Sequence, residues 1–247
     1  MHPLIITGGS RGIGASISRL AGELGFSVVV NFSESEREAN SIVRTIEQAG
    51  GRAIAVRANI ARETEVIELF QAAERAFGYV GGLVNNAAIT GGFSRVDSVR
   101  AEALERVFAV NVTGTILCAR EAVCRMSTRH GGKGGAIVNL SSLVARTGGA
   151  GEWVHYAASK GAVNSFTIGL AREVASEGIR VNAVSPGLIE TELHARNGDP
   201  GRIDRMSPTV PMQRGGRPEE IAAGVLWLLS PEASYTTGAI LEIGGGR

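Results

Sequence analysis

Short apolar runs rich in β-branched residues recur along the chain at Leu4–Thr7, Ser27–Asn31, Ala53–Arg57, Gly82–Asn85, Ala136–Ser141, Arg180–Ser185 and Ala239–Ile243. Between them lie stretches whose apolar residues repeat with helical spacing: Ala15–Leu24, Glu36–Ala49, Glu63–Phe77, Ala103–Arg125, Tyr156–Ser176 and Pro218–Leu229. Runs of four to eight apolar residues with turn signals on either side read as buried strands, and the longer amphipathic stretches as helices. Strict alternation of the two predicts an α/β fold: a doubly wound parallel seven-stranded sheet covered by helices on both faces. No shift in composition and no repeat divides the chain, so a single domain over 1–247 is expected. The longest stretch without periodicity, 191–214, is polar and carries three prolines. Its place after the sixth strand puts it at the carboxyl edge of the sheet, where it is expected to act as a substrate lid.

Composition narrows the class. The chain has 247 residues, 44% of them hydrophobic and 20% charged, with a formal net charge of +1. This balance carries no electrostatic footprint for nucleic acid or for an anionic membrane. No apolar run approaches the ~18 residues of a membrane span. The first residues lead almost directly into a strand, without the basic and apolar regions of a signal peptide. Cys118 and Cys124 fall six apart in one helix, hence on different faces, and read as reduced thiols. The four histidines, His2, His130, His155 and His194, show no metal-ligand spacing, so no metal is expected. Together these features predict a soluble, cytoplasmic protein.

Two segments carry candidate chemistry. The first strand runs into Thr7-Gly8-Gly9-Ser10-Arg11-Gly12-Ile13-Gly14 and then a helix. Strand, glycine turn and helix form the arrangement that holds a dinucleotide pyrophosphate, because free backbone N–H groups and the helix dipole favour negative charge there. The spacing of Gly8, Gly12 and Gly14 differs from the common GxGxxG. The second segment is Tyr156-Ala-Ala-Ser-Lys160. Only two of the 25 basic residues are lysines, and one stands a single helical turn from a tyrosine. A phenol titrates near pH 10 and is a poor acid–base group at neutrality. A nearby ammonium is expected to favour the phenolate and bring that pKa toward working pH.

With these residues in order, the whole chain resembles the compact, single-domain members of the short-chain dehydrogenase/reductase family, with a Rossmann-like fold. The segment from Thr7 to Gly14 matches the family's TGxxxGxG motif. Asn85-Asn86-Ala87-Ala88 is similar to its NNAG, Tyr156–Lys160 to its YxxxK and Pro186-Gly187 to its PG. The resemblance implies a catalytic set at Asn111, Ser142, Tyr156 and Lys160. It prefers Ser142 to Ser141 on the family pattern alone. It implies cofactor contacts from Gly8, Ser10, Arg11, Gly12, Ile13, Gly14, Asn31, Ser33, Asn59, Ile60, Asn86, Ala87, Pro186, Gly187, Ile189 and Thr191, together with Tyr156 and Lys160. Asn111 interrupts an apolar helix where Asn is a mediocre helix former, so a local distortion is expected there; the resemblance makes this residue part of a proton relay from the lysine to solvent.

Cofactor choice rests on the end of the second strand, where NAD-preferring folds place an acid. That position falls on Asn31 or Phe32, and Arg11 and Ser33 are nearby, so NADP (NADPH) is expected over NAD. The implied reaction is hydride transfer between the nicotinamide and a carbonyl or secondary alcohol, with Tyr156 as general acid/base. The resemblance runs nearest to 3-oxoacyl-reductase-like and sugar-dehydrogenase-like branches, and implies a homotetramer paired through the two long helices. The rival reading is a non-catalytic NAD(P)-binding redox sensor or regulator on the same fold.

Overall fold

A computed structural model describes residues 2–192, Ala195 and 198–247. Seven strands form one sheet: β1 (Pro3–Ile6), β2 (Ser27–Phe32), β3 (Arg52–Arg57), β4 (Gly82–Asn85), β5 (Gly135–Leu140), β6 (Ile179–Pro186) and β7 (Ile240–Ile243). Their order is β3-β2-β1-β4-β5-β6-β7 and every pair is parallel. The principal helices are α1 (Gly12–Glu23), α2 (Glu36–Gln48), α3 (Glu63–Phe77), α4 (Ala101–Phe108), α5 (Thr115–Met126), α6 (Val144–Thr147) and α7 (Val154–Val174), followed by Arg202–Met206 and Pro218–Leu229.

The period-two rule of strands assigns each side chain to a face. Leu4 and Ile6 of β1, with Val28 and Val30 of β2, pack with α1, α2 and the helix Pro218–Leu229. Ile5 and Val29 point to the other face, against α3, α5 and α7. All four residues of β1 and all six of β2 are buried, as expected of parallel strands covered on both sides. Burial of each such Leu or Ile contributes roughly 1.5–3 kcal/mol.

The run Ala101–Met126, read from sequence as one helix, contains a π-helical stretch at Ala109–Gly114 between α4 and α5. By length and composition this run could cross a membrane, with mean hydropathy 1.4 over its most apolar window, which the sequence reading had not anticipated. In the fold its apolar residues have another destination, since Val107, Cys118, Ala119, Ala122 and Met126 are all 0% exposed within the protein.

The chain travels from β1 outward to β3 and then returns to start β4 on the opposite side of β1. That reversal opens a crevice between β1 and β4 at the carboxyl edge of the sheet, where ligands bind in open α/β folds. The region read as a lid leaves the sheet after β6 and returns through a single bridge. Gly216 donates to the carbonyl of Leu188 at 2.8 Å, and Glu190 donates to that of Gly216 at 2.9 Å. Leu193, His194, Arg196 and Asn197 lie outside the described residues.

A line of buried polar groups ties α7 to the sheet. Asn85 Nδ2 donates to Asn139 Oδ1 at 2.9 Å, and Asn139 Nδ2 donates to Thr167 Oγ1 at 2.9 Å. Asn139 and Thr167 are both 0% exposed. Asn139→Ala removes one hydrogen bond from each of two buried partners, so it is expected to lower stability by on the order of 2 kcal/mol. Urea unfolding checks this, with an unchanged midpoint refuting the tether.

Candidate active site

The carboxyl ends of six strands surround a cleft of about 1360 Å³. Its inner end is the glycine turn. Gly8 and Gly12 have φ of +61° and +51°, a conformation available to glycine without strain. A Cβ on Gly14 would fall 2.3 Å from the carbonyl oxygen of Gly8, so Gly14 lets α1 pack closely on the turn and does not itself line the cleft. The N-terminus of α1 has no side-chain cap, leaving its first amides for an anion. Thr7 and Asn86 hold the turn in place: Asn86 Nδ2 donates to the carbonyls of Thr7 and Gly8 at 2.9 and 3.0 Å, and the backbone N–H groups of Asn86 and Ala87 donate to Thr7 Oγ1 at 3.0 and 3.1 Å.

Gly8, Ser10, Arg11, Gly12, Ile13, Asn31, Ser33, Asn59, Ile60, Asn86, Ala87, Tyr156, Lys160, Pro186, Gly187, Ile189 and Thr191 all line the cleft. Asn31 also has a structural task. It is 2% exposed, accepts from the Gly8 N–H at 3.3 Å, and donates to the carbonyls of Ala58 and Val56 at 3.0 and 3.3 Å. It joins the glycine turn to β2 and β3. The sequence reading missed Arg57, at the end of β3, whose Nε donates to the carbonyl of Ser33 at 3.2 Å. The pairing of Phe32 with Arg57 in the sheet brings this cation to the rim, and only the register reveals it.

The other end holds the titratable set. Lys160 is 3% exposed, and its Nζ donates to the carbonyl of Leu140, the last residue of β5, at 2.6 Å. The same Nζ lies 5.7 Å from the centre of the Tyr156 ring. Burial lowers the Lys160 pKa from 10.5 to about 8. Tyr156 opens onto the cleft, but burial pushes its phenol up to about 12, with the hydrogen bond from Ser142 pulling the other way. Burial is the larger of these two effects, and the net direction is upward. Tyr156 is held as a protonated acid.

Ser142 and Ser141 separate cleanly. Ser142 is partly exposed, contacts Tyr156 and accepts from the Val144 N–H at 3.3 Å. Ser141 is 4% exposed and donates to the carbonyl of Lys160 at 3.4 Å. Asn111 sits in the π stretch, where the distortion expected from its sequence context is found. It is 0% exposed, exchanges a pair of 2.9 Å hydrogen bonds with the backbone of Ile89, and donates to Ser159 Oγ at 3.0 Å. Its side chain thus braces the strand β4 exit against α7, one residue before Lys160, and does not line the cleft.

The dimensions and donors fit a dinucleotide: a glycine cradle with an uncapped helix end, a cleft long enough to reach Lys160, and a hydroxyl pair beside it. Comparison with known proteins agrees. A family model described as enoyl-(acyl carrier protein) reductase matches residues 8–247. The chain is 48% identical to the uncharacterized oxidoreductase YgfF of Escherichia coli (strain K12), over 98% of each chain. It is 40% identical to the 3beta-hydroxysteroid dehydrogenase 1 of Eggerthella lenta, over 98% of this chain and 92% of that one. A solved mutant of a Serratia marcescens short-chain dehydrogenase/reductase superposes with a TM-score of 0.91 at 32% identity, covering 99% of this chain and 97% of that one.

The buried lysine sets a stability prediction. Below pH 8 both folded and unfolded chains carry its proton, and the folded state bears the whole desolvation penalty. Between pH 8 and 10.5 only the unfolded chain holds the proton, so stability rises with pH across that window. Lys160→Met is expected to gain on the order of 1–2 kcal/mol below pH 8, after the loss of the bond to Leu140. The gain closes as pH approaches 10.5, and denaturant titrations at pH 6.5 and 10 read the difference.

Proposed function

The chain belongs to the short-chain dehydrogenase/reductase family, and from that premise we propose that it reduces a carbonyl compound with NADPH, Tyr156 delivering the proton. As a member of the family it is a hydride-transferring oxidoreductase that uses a nicotinamide cofactor. The observation that carries the proposal is the convergence of Ser142 and Lys160 on the Tyr156 phenol, which opens onto the cleft. A non-catalytic sensor would need the glycine cradle but not that convergence.

When bound, the nicotinamide dinucleotide supplies the hydride. The amides at the start of α1, with Ser10 and Arg11, would hold its pyrophosphate. Asn59, Ile60, Ala87, Pro186, Gly187, Ile189 and Thr191 line the rest of its path. Ser142 offers a hydroxyl to the substrate oxygen. Tyr156, protonated up to about pH 12, gives its proton to that oxygen, and Lys160 restores charge balance from a site fixed on the carbonyl of Leu140. Asn111 positions Ser159 and α7, and through them the Tyr–Lys pair. In the oxidative direction the same phenol, once deprotonated, would act as the base.

NADPH is preferred on three supports. No acid stands at Asn31 or Phe32, Arg11 and Ser33 line the rim where a 2′-phosphate would sit, and Arg57 bonds the Ser33 carbonyl beside it. The segment 191–214 is the substrate lid, with Ile189 and Gly216 forming its base. The protein is read as a cytoplasmic homotetramer; exposed Leu104, Ile116 and Ile168 on α4, α5 and α7 support self-association. Large apolar side chains left in water on the helices that pair in this family mark them for association.

Two measurements test the reading. Tyr156→Phe is expected to reduce kcat by about 10²–10⁴-fold while binding of NADPH stays intact; near-parental turnover on a productive ketone would refute the proton donor. The specificity constant for NADPH is expected to exceed that for NADH, and Arg57→Glu to reverse the order. A native preference for NADH sinks the cofactor assignment.

A further inference from the structure

The substrate side of the cleft carries a cluster that the proton-handling set does not use. Arg202, in the short helix Arg202–Met206 of the lid segment, is only 6% exposed. Its guanidinium lies 4.5 Å from the centre of the Trp153 ring and 5.5 Å from that of Phe93. These two rings stack at 4.7 Å with an interplanar angle of 17°. Arg202 also donates to both carboxylate oxygens of Glu152, at 3.1 and 2.5 Å, and lies 3.5 Å from Asp199, which Arg205 shares. Trp153 stands edge-on to Tyr156 with ring centres 6.1 Å apart. A carbonyl compound whose oxygen meets the Tyr156 hydroxyl therefore lays its body alongside Trp153.

We infer that Arg202 is a specificity-determining residue, and that the substrate is a carbonyl compound with a flat, neutral, apolar body. This inference rests on the reductase reading of the same site. Arg202 clamps the lid segment onto the indole with a charge already neutralised: two guanidinium groups face two carboxylates, Arg202 and Arg205 against Glu152 and Asp199. The substrate side of the cleft thus meets the small exposed part of Trp153 beside a charge cluster that is balanced. An anionic group placed there would lose its hydration and find no free cation in return. Arg100, Arg106 and Arg247 also line the cleft, but all three are exposed, and solvated charges attract weakly. The indole N–H of Trp153 is buried with no hydrogen-bond partner among the described residues.

The test uses the whole protein with Trp227→Phe, which leaves Trp153 as the one tryptophan of the two in the chain. NADP+ is present, so that no hydride is available and binding alone is read from indole emission. The ligands are a matched pair, 4-phenylcyclohexanone and 4-(4-oxocyclohexyl)benzoate. The neutral ketone is expected to bind at least tenfold more tightly than the carboxylate. Glu152→Gln, which leaves Arg202 with unbalanced charge, is expected to narrow that gap at least fivefold. Arg202→Met, which leaves Glu152 unpaired, widens it. Equal or tighter binding of the carboxylate overturns the inference, as does a gap unmoved by Glu152→Gln, or no saturable binding of either ketone. Oxidation of NADPH by the same pair is scored separately: discrimination in binding without any turnover refutes the reductase reading and leaves the specificity assignment standing.

Discussion

A buried chain of amide and hydroxyl groups holds this structure in register. Asn85 reaches Asn139, Asn139 reaches Thr167, and Thr167 donates to the carbonyl of Val163 one turn back along α7. A second set, Asn111 with Ile89 and Ser159, fixes α7 from the side of the π stretch. In an interior of low dielectric, satisfied polar groups admit one arrangement and penalise every other. Apolar contacts between α7 and the sheet would tolerate a small slide along the helix. These bonds do not, and so Tyr156 and Lys160 stay at the carboxyl edge of the sheet.

That placement has an electrostatic consequence. The same burial that fixes Lys160 lowers its pKa to about 8, and raises that of Tyr156 to about 12. The two shifts have one cause, desolvation of a charged form, acting on groups of opposite type. The pair is thereby kept as a neutral acid beside a cation that is reluctant to be charged. Both shifts destabilise the ionised states that a phenolate base would need. At neutral pH the cost in stability falls on Lys160 alone, because Tyr156 is protonated in both the folded and the unfolded chain.

Much of this was legible in the chain. Six helices and seven strands follow from periodicity, with boundaries within a few residues of those observed, because parallel strands between two helical layers must be apolar throughout. The glycine turn was legible for a related reason: Gly8 and Gly12 need positive φ, which few other residues accept. The distortion at Asn111 was visible as a polar residue in an apolar helix. Other features were hidden. Asn31 lines the cleft, but its bonds to Gly8, Ala58 and Val56 could not be read from the chain. Arg57 reached the rim only through its pairing opposite Phe32. Trp153, Phe93 and Arg202 are sixty and about fifty residues apart in the chain, and nothing local predicts their contact.

By itself the sequence determined the fold, the cradle and the identity of the titratable pair, since each depends on local periodicity, on backbone conformations that particular residues permit, or on one turn of helix. Tertiary structure alone decided the direction of the tyrosine shift, because desolvation depends on everything packed around a group and not on the neighbour four residues away. It also decided which serine faces the phenol and which side chains wall the substrate side, since those follow from loops that meet across the edge of the sheet.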